Sequence, residues 1–515
     1  MENTSMSKKR NNLIAYHELE SMIIEPGFCT LCGACEAACP VHVIKIGQGK
    51  PHRLHDCAEY LDSCPICYDI CPHTDALLFE ALHFLADTSQ RRESLGRYRS
   101  ILLAHAANPT MRDASRSGGV VNALLNFAIN EKMIDSAVVS EASSRVPIKV
   151  KPAINLVPDD TLSAVDTKIV PSSVAEAFGR AVYEHGKVNI AFVGVPCHIL
   201  ALRKLEAWQH RLVDSLTITI GLFCLWTFSL GRLLEYLLHE HNIAANEIQN
   251  VDLAADEYLV TKDSRVIRIP LSEVESHIMN RCRTCADFTS ELADLSIGGA
   301  RPLEDWSVVI IRTRRGEEFF SKAVEKGIII TKEIKTEPEA FAHLIQLSSH
   351  KRTSALKEIE AMRKAGLSVP SGAELSTRPM AAETSVLEEL KVEDIMTKKV
   401  VTLPPTMTVN ELLDEIAEHH HIGYPMIDES EQIVGIVTLQ DAVKVAKEKR
   451  DDVTISEIAT KSLIVAFPSD SIAEAFERMS RHDIGRILVV DAKNKRSLLG
   501  ILTRSDVMHA LSRNG

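Results

Sequence analysis

Eight cysteines near the amino terminus have spacings that suit iron–sulfur ligation. The first run has gaps of two, two and three residues and ends in proline: Cys29, Cys32, Cys35, Cys39 and Pro40. Such short gaps wrap one loop around a [4Fe–4S] cluster, and the cysteine before the proline is directed to a neighbouring cluster. The second run also ends in Cys-Pro, but six residues separate its first two cysteines: Cys57, Cys64, Cys67, Cys71 and Pro72.

This exchange of the fourth cysteine predicts two [4Fe–4S] clusters. We assign one cluster to Cys29, Cys32, Cys35 and Cys71. We assign the other to Cys39, Cys57, Cys64 and Cys67, where the long gap makes Cys57 the ligand least fixed by spacing. A zinc ribbon is the alternative, but it needs only four cysteines and leaves both Cys-Pro pairs unexplained. The pattern therefore favours iron–sulfur electron transfer.

Four further cysteines are dispersed through the middle of the chain: Cys197, Cys224, Cys282 and Cys285. The last two form a Cys-x2-Cys pair, a spacing that chelates metals. The first two each follow an apolar, strand-like run, so both could reach the same end of one sheet. From spacing alone, a third cluster and ordinary buried cysteines remain equal alternatives.

Composition narrows the class of protein. The chain has 515 residues and a net charge of −12, so no basic field would draw it to nucleic acid or to an anionic membrane. Its start has no apolar core or cleavage site, so we expect a cytoplasmic protein whose cysteines bind metal instead of forming disulfides. The uncharged stretch 215–231 is slightly short for a membrane span, and its alternation predicts a buried strand followed by an amphipathic helix.

The pattern along the chain predicts a multidomain α/β protein. We expect a small α+β ferredoxin-like cluster domain at 20–80, a helix over roughly 76–95, and an α/β core at 98–348 where strand-like and helix-like runs alternate. A stretch rich in Pro, Ser, Gly and Ala, 367–388, predicts a linker. Two copies of one pattern follow, at 390–448 and 452–515.

Several segments together resemble the beta subunit of coenzyme F420-reducing hydrogenase and its F420-linked dehydrogenase relatives. They are RSGGVVNAL, GVPCHILALRK, GLFC, RCRTCADFTSELADLSIGG and WSVVIIRTRRG. The resemblance implies a flavin-binding α/β core with FAD and its own [4Fe–4S] cluster, which supports the four dispersed cysteines as ligands. It also implies that the reduced deazaflavin exchanges hydride with FAD. Electrons would then pass through three clusters to other redox subunits or to a ferredoxin.

Small residues before a helix-like run form the candidate flavin site: Ser115, Ser117, Gly118 and Gly119. Free N–H groups at a helix start suit a pyrophosphate, although an ordinary N-cap and turn is the alternative. Lys168 and Lys204 could meet phosphate or the flavin ring, or could be solvated surface lysines. The family usually has threonine where Asn122 stands.

The C-terminal repeat resembles a pair of cystathionine-β-synthase (CBS) domains. In that family the threonine and aspartate of such motifs hold an adenosine ribose, here Thr438 with Asp441 and Thr503 with Asp506. The alternative is that threonine caps a helix and aspartate lies in its first turn. The resemblance implies a possible AMP or ATP site and a homodimer formed through the CBS pair.

These observations lead to one favoured function and two rivals. The favoured function is an oxidoreductase that moves electrons between reduced coenzyme F420 and a partner through FAD and [4Fe–4S] clusters. One rival is the same core acting on another substrate without F420. The other rival is a nucleotide-sensing electron-transfer or regulatory subunit.

Overall fold

A computed structural model describes two compact units of the chain, Met1–Arg378 and Pro379–Gly515. The described residues are 15–47, 49–57, 64–82, 90–92, 94–113, 117–142, 150–155, 170–248, 250–253, 257–262, 265–367, 390–419, 423–438, 441–442, 445, 449–482, 484, 486–503 and 506. The division between the units falls inside the predicted linker 367–388, of which only Leu367 is among the described residues.

A mixed sheet of eight described strands forms the centre of the first unit. The strands are β5 Ser100–Ala106, β6 Ser136–Ala142, β7 Val150–Asn155, β8 Ile190–Gly194, β9 Leu216–Leu222, β13 Leu295–Ala300, β14 Leu303–Ile311 and β15 Ile329–Glu333. Their order across the sheet is β15-β5-β14-β13-β9-β8-β6-β7. The four inner strands β13, β9, β8 and β6 are parallel neighbours. The predicted α/β core is confirmed.

Helices cover both faces of this sheet because its inner strands are apolar on both sides. The longer helices of the first unit are α6 Val120–Asn130, α7 Val174–Tyr183, α8 Pro196–Ala207, α9 Leu230–His241, α12 Arg314–Glu325 and α13 Pro338–Lys364. The shorter ones are α1 Ala15–Leu19, α2 Ala34–Ala37, α3 Ile66–Asp69, α4 Leu78–Leu82, α5 Pro109–Asp113, α10 Leu271–Val274 and α11 Asn280–Arg283. Helices α6 and α12 share one apolar cluster with the sheet, and α7 and α8 share another.

The uncharged stretch 215–231 contains a buried strand and the start of a helix, as its alternation predicts. Strand β9 is buried within the sheet and α9 follows it. In the described part of the chain, no helix is both long and apolar enough to cross a membrane.

The predicted helix over 76–95 is wrong at its end. Helix α4 ends at Leu82, and β3 Gln90–Arg92 pairs antiparallel with β4 Gly96–Tyr98. Gly96 has a φ of +69° at the start of the returning strand, a backbone conformation that glycine adopts without strain. The charged run therefore belongs to a hairpin. Three further strands, β10 Asn250–Leu253, β11 Glu257–Lys262 and β12 Arg265–Pro270, form a separate antiparallel sheet.

The cysteine-rich segment packs against the core within the same compact unit. Its hairpin consists of β1 Ile44–Gly47 and β2 Lys50–Arg53. Helix α2 lies against α7 so closely that a Cβ at Gly179 would come 2.9 Å from the Cβ of Ala37. The backbone N–H of Ala175 donates to the Cys32 oxygen over 3.0 Å. The core therefore holds the cysteine loop directly.

The second unit contains two similar halves that exchange their opening segments. The described strands are β16 Gly423–Ile427, β17 Ile433–Thr438, β18 Val465–Ala466, β19 Arg486–Val490 and β20 Leu498–Thr503. The helices are α14 Val392–Ile395, α15 Val409–His419, α16 Ile455–Ile458 and α17 Ile472–Arg481. Thr397 of the first half pairs with Ile501 of the second, and Thr460 of the second pairs with Ile436 of the first. The two halves therefore pair reciprocally at equivalent positions.

Candidate functional site

The first four cysteines predicted to share a cluster lie together in the structure. Burial raises the pKa of Cys29, Cys32 and Cys35, and the nearby Cys71 raises each of these pKa values further. Gly33 permits the tight loop, because its φ is +86° and a Cβ there would lie 2.8 Å from the backbone nitrogen of Glu176. Two distant cysteine runs therefore contribute to one group of four thiols; their ligation of one cluster stays a prediction.

The second group surrounds a small cavity. Burial raises the pKa of Cys64 and of Cys67, and the nearby Cys39 and Cys57 raise both further. The cavity is lined by these four cysteines and by Tyr16, Pro40, Val41, Val43 and Ile44. Cys57, the cysteine whose assignment spacing left weakest, lies in this group.

The dispersed cysteines meet beside the sheet. Cys197 and Cys224 follow β8 and β9, which are parallel neighbours, so their carboxyl ends share one edge. The backbone N–H of Cys224 donates to the Phe288 oxygen over 2.9 Å, which draws the loop after α11 to this edge. That loop carries Cys285, and α11 carries Cys282. Burial raises the pKa of Cys282, and the nearby Cys224 and Cys285 raise it further.

The three groups adjoin one another. Besides burial, Cys32 of the first group raises the pKa of Cys197 in the dispersed group. In the same way, Cys67 of the second group raises the pKa of Cys35 in the first. Thr30 lies at the first of these boundaries. Burial raises the pKa of Cys197 and the Thr30 hydroxyl opposes that rise, and the same hydroxyl lies 2.7 Å from Nε2 of His73. The twelve cysteines thus form a continuous series of three groups.

Burial makes these thiols poor anions in the free protein. It raises the pKa of Cys29 and of Cys282 to about 12, and it raises that of Cys35 and Cys197 well above the ordinary range. Buried thiolates need a cationic partner, and ligation by iron supplies one by displacing the thiol protons. Four cysteine sulfurs are the donor set of a [4Fe–4S] cluster, so the residue types fit that cofactor. Among the described residues, no three His, Cys, Asp or Glu side chains are arranged to hold a single metal ion.

Comparison with known proteins identifies the domains. Residues 101–178 match the N-terminal part, and residues 188–337 the C-terminal part, of the coenzyme F420 hydrogenase/dehydrogenase beta subunit. This chain carries both domains of that family. Residues 22–45 match a 4Fe-4S binding domain, and residues 392–448 and 455–513 match CBS domains. The family resemblance, the 4Fe-4S motif and the CBS pair are confirmed.

Relatives of the F420 beta-subunit domains are oxidoreductases or parts of them. The chain is 28% identical over 279 residues to the coenzyme F420 hydrogenase subunit beta of Methanothermobacter thermautotrophicus, covering 54% of this chain and 99% of that protein. It is 27% identical over 319 residues to the coenzyme F420-dependent sulfite reductase of Methanocaldococcus jannaschii, covering 59% of this chain and 47% of that protein. These relatives confirm the prediction of an oxidoreductase.

A solved structure has the same fold as the F420 beta-subunit domains. It is a chain from the xenon-derivatised F420-reducing [NiFe] hydrogenase complex of Methanosarcina barkeri. The likeness has a TM-score of 0.52 at 26% identity and covers 55% of this chain and all of that one.

Lys204 occupies a different place from the one predicted for it. Its side chain is fully buried, and Nζ donates to the oxygens of Cys71 (2.6 Å) and Thr74 (2.9 Å) and to the Thr74 hydroxyl (3.2 Å). Burial lowers its pKa to about 8, and Cys71 opposes that effect. Its donors are used to dock the cysteine segment, so the interpretation of Lys204 as a flavin or phosphate contact is wrong in this structure.

Three of the candidate flavin residues, Ser117, Gly118 and Gly119, form a tight turn before α6. Ser115 and Lys168 lie outside the described residues. Gly118 and Gly119 have φ of +69°, and a Cβ on them would lie 2.6 Å from the Asp305 oxygen and 2.5 Å from the Met111 oxygen. Local packing therefore already requires both glycines.

Helix α6 also carries two buried amide oxygens for which the described residues provide no hydrogen-bond partner. They are Oδ1 of Asn122 and Oδ1 of Asn126, one helical turn apart on the same face. Unpartnered buried acceptors are costly, so a polar ligand with donors would suit this face. The carbonyl oxygen of Ser117, in the turn before the helix, accepts a hydrogen bond from the Ser307 hydroxyl. This face of α6 and its turn are compatible with a flavin.

The CBS residues form two matching capping boxes. The Asp441 carboxylate accepts from the Thr438 N–H (3.0 Å) and hydroxyl (2.7 Å). Asp506 accepts in the same way from Thr503, over 2.8 and 2.7 Å. This is the capping alternative to ribose binding, and it positions all four side chains at equivalent places in the two halves.

Sequence reasoning missed three buried polar residues at the cysteine groups: Thr30, His73 and Lys351. Thr30 and His73 stand inside or directly after the Cys-rich motifs, which was an available signal. For Lys351 the sequence offered only a weak signal, namely its position on the apolar face of a helix. The Lys351 ammonium donates to the Cys224 oxygen. Burial lowers the pKa of this lysine, but Cys285, Cys224 and Cys282 outweigh that effect, so the pKa lies above its ordinary value.

Proposed function

We propose that the protein is an iron–sulfur flavoprotein that transfers electrons between reduced coenzyme F420 and a redox partner. FAD would accept or return the deazaflavin hydride, and three [4Fe–4S] clusters would carry single electrons. The F420 names of its relatives support the substrate. The observation that carries the proposal is the continuous series of three cysteine groups.

In this proposal the protein's own residues hold and separate the redox groups. Cys197, Cys224, Cys282 and Cys285 would hold the core cluster next to the flavin domain, and the first and second groups would extend the path outward. The turn at Ser117 and the amides of Asn122 and Asn126 would bind FAD. Cys57 and Cys64 are only half-buried, so the second group is where another redox protein or a ferredoxin would exchange electrons.

Anaerobic analysis of iron, sulfide and flavin in the purified protein tests the cofactors. We expect about twelve irons per chain, because three four-cysteine groups would each hold four irons. We expect Cys197→Ala to lose the iron of the core group alone. Eight irons in the parent, unchanged by Cys197→Ala, would show that the dispersed cysteines are structural.

Addition of reduced coenzyme F420 under anaerobic conditions tests the substrate. Loss of flavin absorbance, followed by bleaching of the iron–sulfur absorbance, is expected. A flavin that is reduced by dithionite but not by reduced F420 would favour the same core acting on another substrate.

The CBS pair would adjust this activity through an adenine nucleotide. The pair has no cysteine, so it lies outside the redox series, and it follows the predicted linker. Coupling between such sites typically amounts to ~1–3 kcal/mol. Truncation near residue 385 should retain both activity and cofactor spectra but abolish any response to AMP or ATP. Calorimetry that detects no nucleotide binding, or equal binding by the Asp441→Ala, Asp506→Ala double variant, would favour a role in homodimer formation.

A further inference from the structure

Lys351 is a buried cation at the dispersed cysteine group. It lies on helix α13, whose buried residues are spaced at intervals of three and four: Ala340, Leu344, Ser348, Lys351, Ala355 and Ile359. Every other member of this face is apolar or small, and Lys351 is only 2% exposed. The family match ends at residue 337, before α13 begins. A lysine here is unexpected on packing grounds alone.

The surroundings of Lys351 explain why a charge is tolerated. Its ammonium donates to the backbone oxygen of Cys224. Burial lowers the pKa of Lys351, but Cys285, Cys224 and Cys282 in their thiolate forms, with a smaller contribution from the Asp287 carboxylate, raise it by more. In the described part of the chain, Lys351 forms no ion pair with a carboxylate. A buried ammonium without a close counter-charge is strongly unfavourable.

We propose that Lys351 is the fixed counter-charge of the core cluster and that it raises the reduction potential of that cluster. This inference rests on the proposed core cluster. Four thiolates around an oxidised [4Fe–4S] core carry a net charge of −2, and uptake of one electron makes it −3. A buried positive charge stabilises the more negative state, and local charge is one of the factors that set cluster potentials. Lys351 is therefore a positioning and tuning residue; it does not react.

The chain offers a matched control for this charge. Lys204 is also fully buried and also donates to the backbone oxygen of a cluster cysteine, Cys71 of the first group. It lies on α8, whereas Lys351 lies on α13, so each lysine can be changed separately. Removal of either charge should affect its own cluster and leave the other unchanged.

The test is a potentiometric titration followed by electron paramagnetic resonance on the complete, iron-loaded chain. The signal of the core cluster is the one altered by Cys197→Ala. We expect Lys351→Met and Lys351→Gln to lower the midpoint potential of that cluster. The expected effect is at least about a tenfold change in its oxidised-to-reduced ratio at fixed potential, which equals 59 mV for one electron. Lys351→Arg should keep the parental value, and Lys204→Gln should shift the first cluster instead.

Iron content separates the possible outcomes. Twelve irons with an unshifted core potential in both neutral variants would overturn the role of Lys351 while leaving the three clusters intact. Eight irons in the parent would overturn the core cluster and the inference together. Loss of the core iron in both neutral variants but not in Lys351→Arg would support the counter-charge. Loss in all three variants would show that only the shape of the lysine matters.

Discussion

The Nζ of Lys204, in helix α8 of the core, lies 2.6 Å from the backbone oxygen of Cys71, the last cysteine of the amino-terminal motifs. The same ammonium donates to the oxygen of Thr74 over 2.9 Å. This contact joins two parts of the chain separated by 133 residues. One side chain of the α/β core therefore fixes the carbonyl groups of the loop that closes the first cysteine group.

Replacement of Lys204 should loosen the cysteine segment. In Lys204→Met the oxygens of Cys71 and Thr74 lose their donor, and a hydrogen bond to a charged group is worth roughly 1.5–3 kcal/mol. We expect faster proteolysis and faster amide exchange in residues 15–82 than in the sheet. Lys322, an exposed lysine on helix α12 of the same unit, provides the control as Lys322→Met. Equal protection in parent and Lys204→Met would contradict the docking role.

Loss of a ligand in the second group should block electron transfer without loss of flavin. Cys64→Ala removes one sulfur from the half-buried group, whereas the candidate flavin residues start at Ser115, later in the chain. We expect transfer to a one-electron acceptor to fall at least about tenfold. Flavin content, measured after acid release, should equal that of the parent. If flavin is lost in Cys64→Ala and also in Cys29→Ala, the cysteine segment and the flavin site depend on one another.

Asp294 should be essential to the stability of the sheet where the start of β13 meets β9. It is fully buried and accepts from Thr219 N–H (2.8 Å), Arg315 Nη2 (2.8 Å) and the Thr313 hydroxyl (2.7 Å). Burial alone would raise its pKa, but Arg315 and Arg203 lower it well below the ordinary range. Asp294→Ala removes the buried carboxylate that Arg203 and Arg315 share, so we expect a loss of roughly 3–5 kcal/mol in unfolding free energy.

Urea denaturation of Asp294→Ala measures this loss, with the exposed Asp113→Ala as the control. Because the folded-state pKa of Asp294 is depressed, its contribution is present above the unfolded pKa of about 3.9 and is lost as the pH falls below that value. Equal stability of Asp294→Ala and Asp113→Ala at pH 7 would refute this role.

The iron-free protein should become less stable as the pH rises. Burial raises the pKa of many of its thiols, to about 12 for Cys29 and Cys282, whereas an unfolded cysteine has a pKa of about 8.5. Between these values the unfolded chain releases protons that the folded chain retains, so the free energy of unfolding falls with increasing pH. Denaturation midpoints under reductant should therefore be lower at pH 9.5 than at pH 7.5.

The combined Cys29→Ala, Cys32→Ala, Cys35→Ala variant provides the control for this pH effect. It should show a shallower dependence, because three of the buried thiols are absent. A pH dependence as steep as that of the parent would assign the effect to groups other than these cysteines.

Local patterns determined much of this protein. Gaps of two and three residues ending in Cys-Pro assigned eight cysteines to two groups, because a short loop can aim its thiols in only a few ways. Alternation of apolar residues predicted β9 within the uncharged stretch, and the internal repeat marked the second unit. The helix predicted over 76–95 was wrong because the positive φ of Gly96 and its hairpin override a helix-like composition.

Only the tertiary structure decided what depends on distant segments meeting. Sequence spacing could not predict that Cys224 lies near Cys282, because their approach depends on strand pairing and on the backbone hydrogen bond from Cys224 to Phe288. It could not show that Lys204 faces Cys71, or that Lys351 faces Cys224. The sequence determined the donor types and the local loops. The environment of each buried charge was decided by packing, because electrostatic stabilisation depends on which groups lie nearby in space, however far apart they are in the chain.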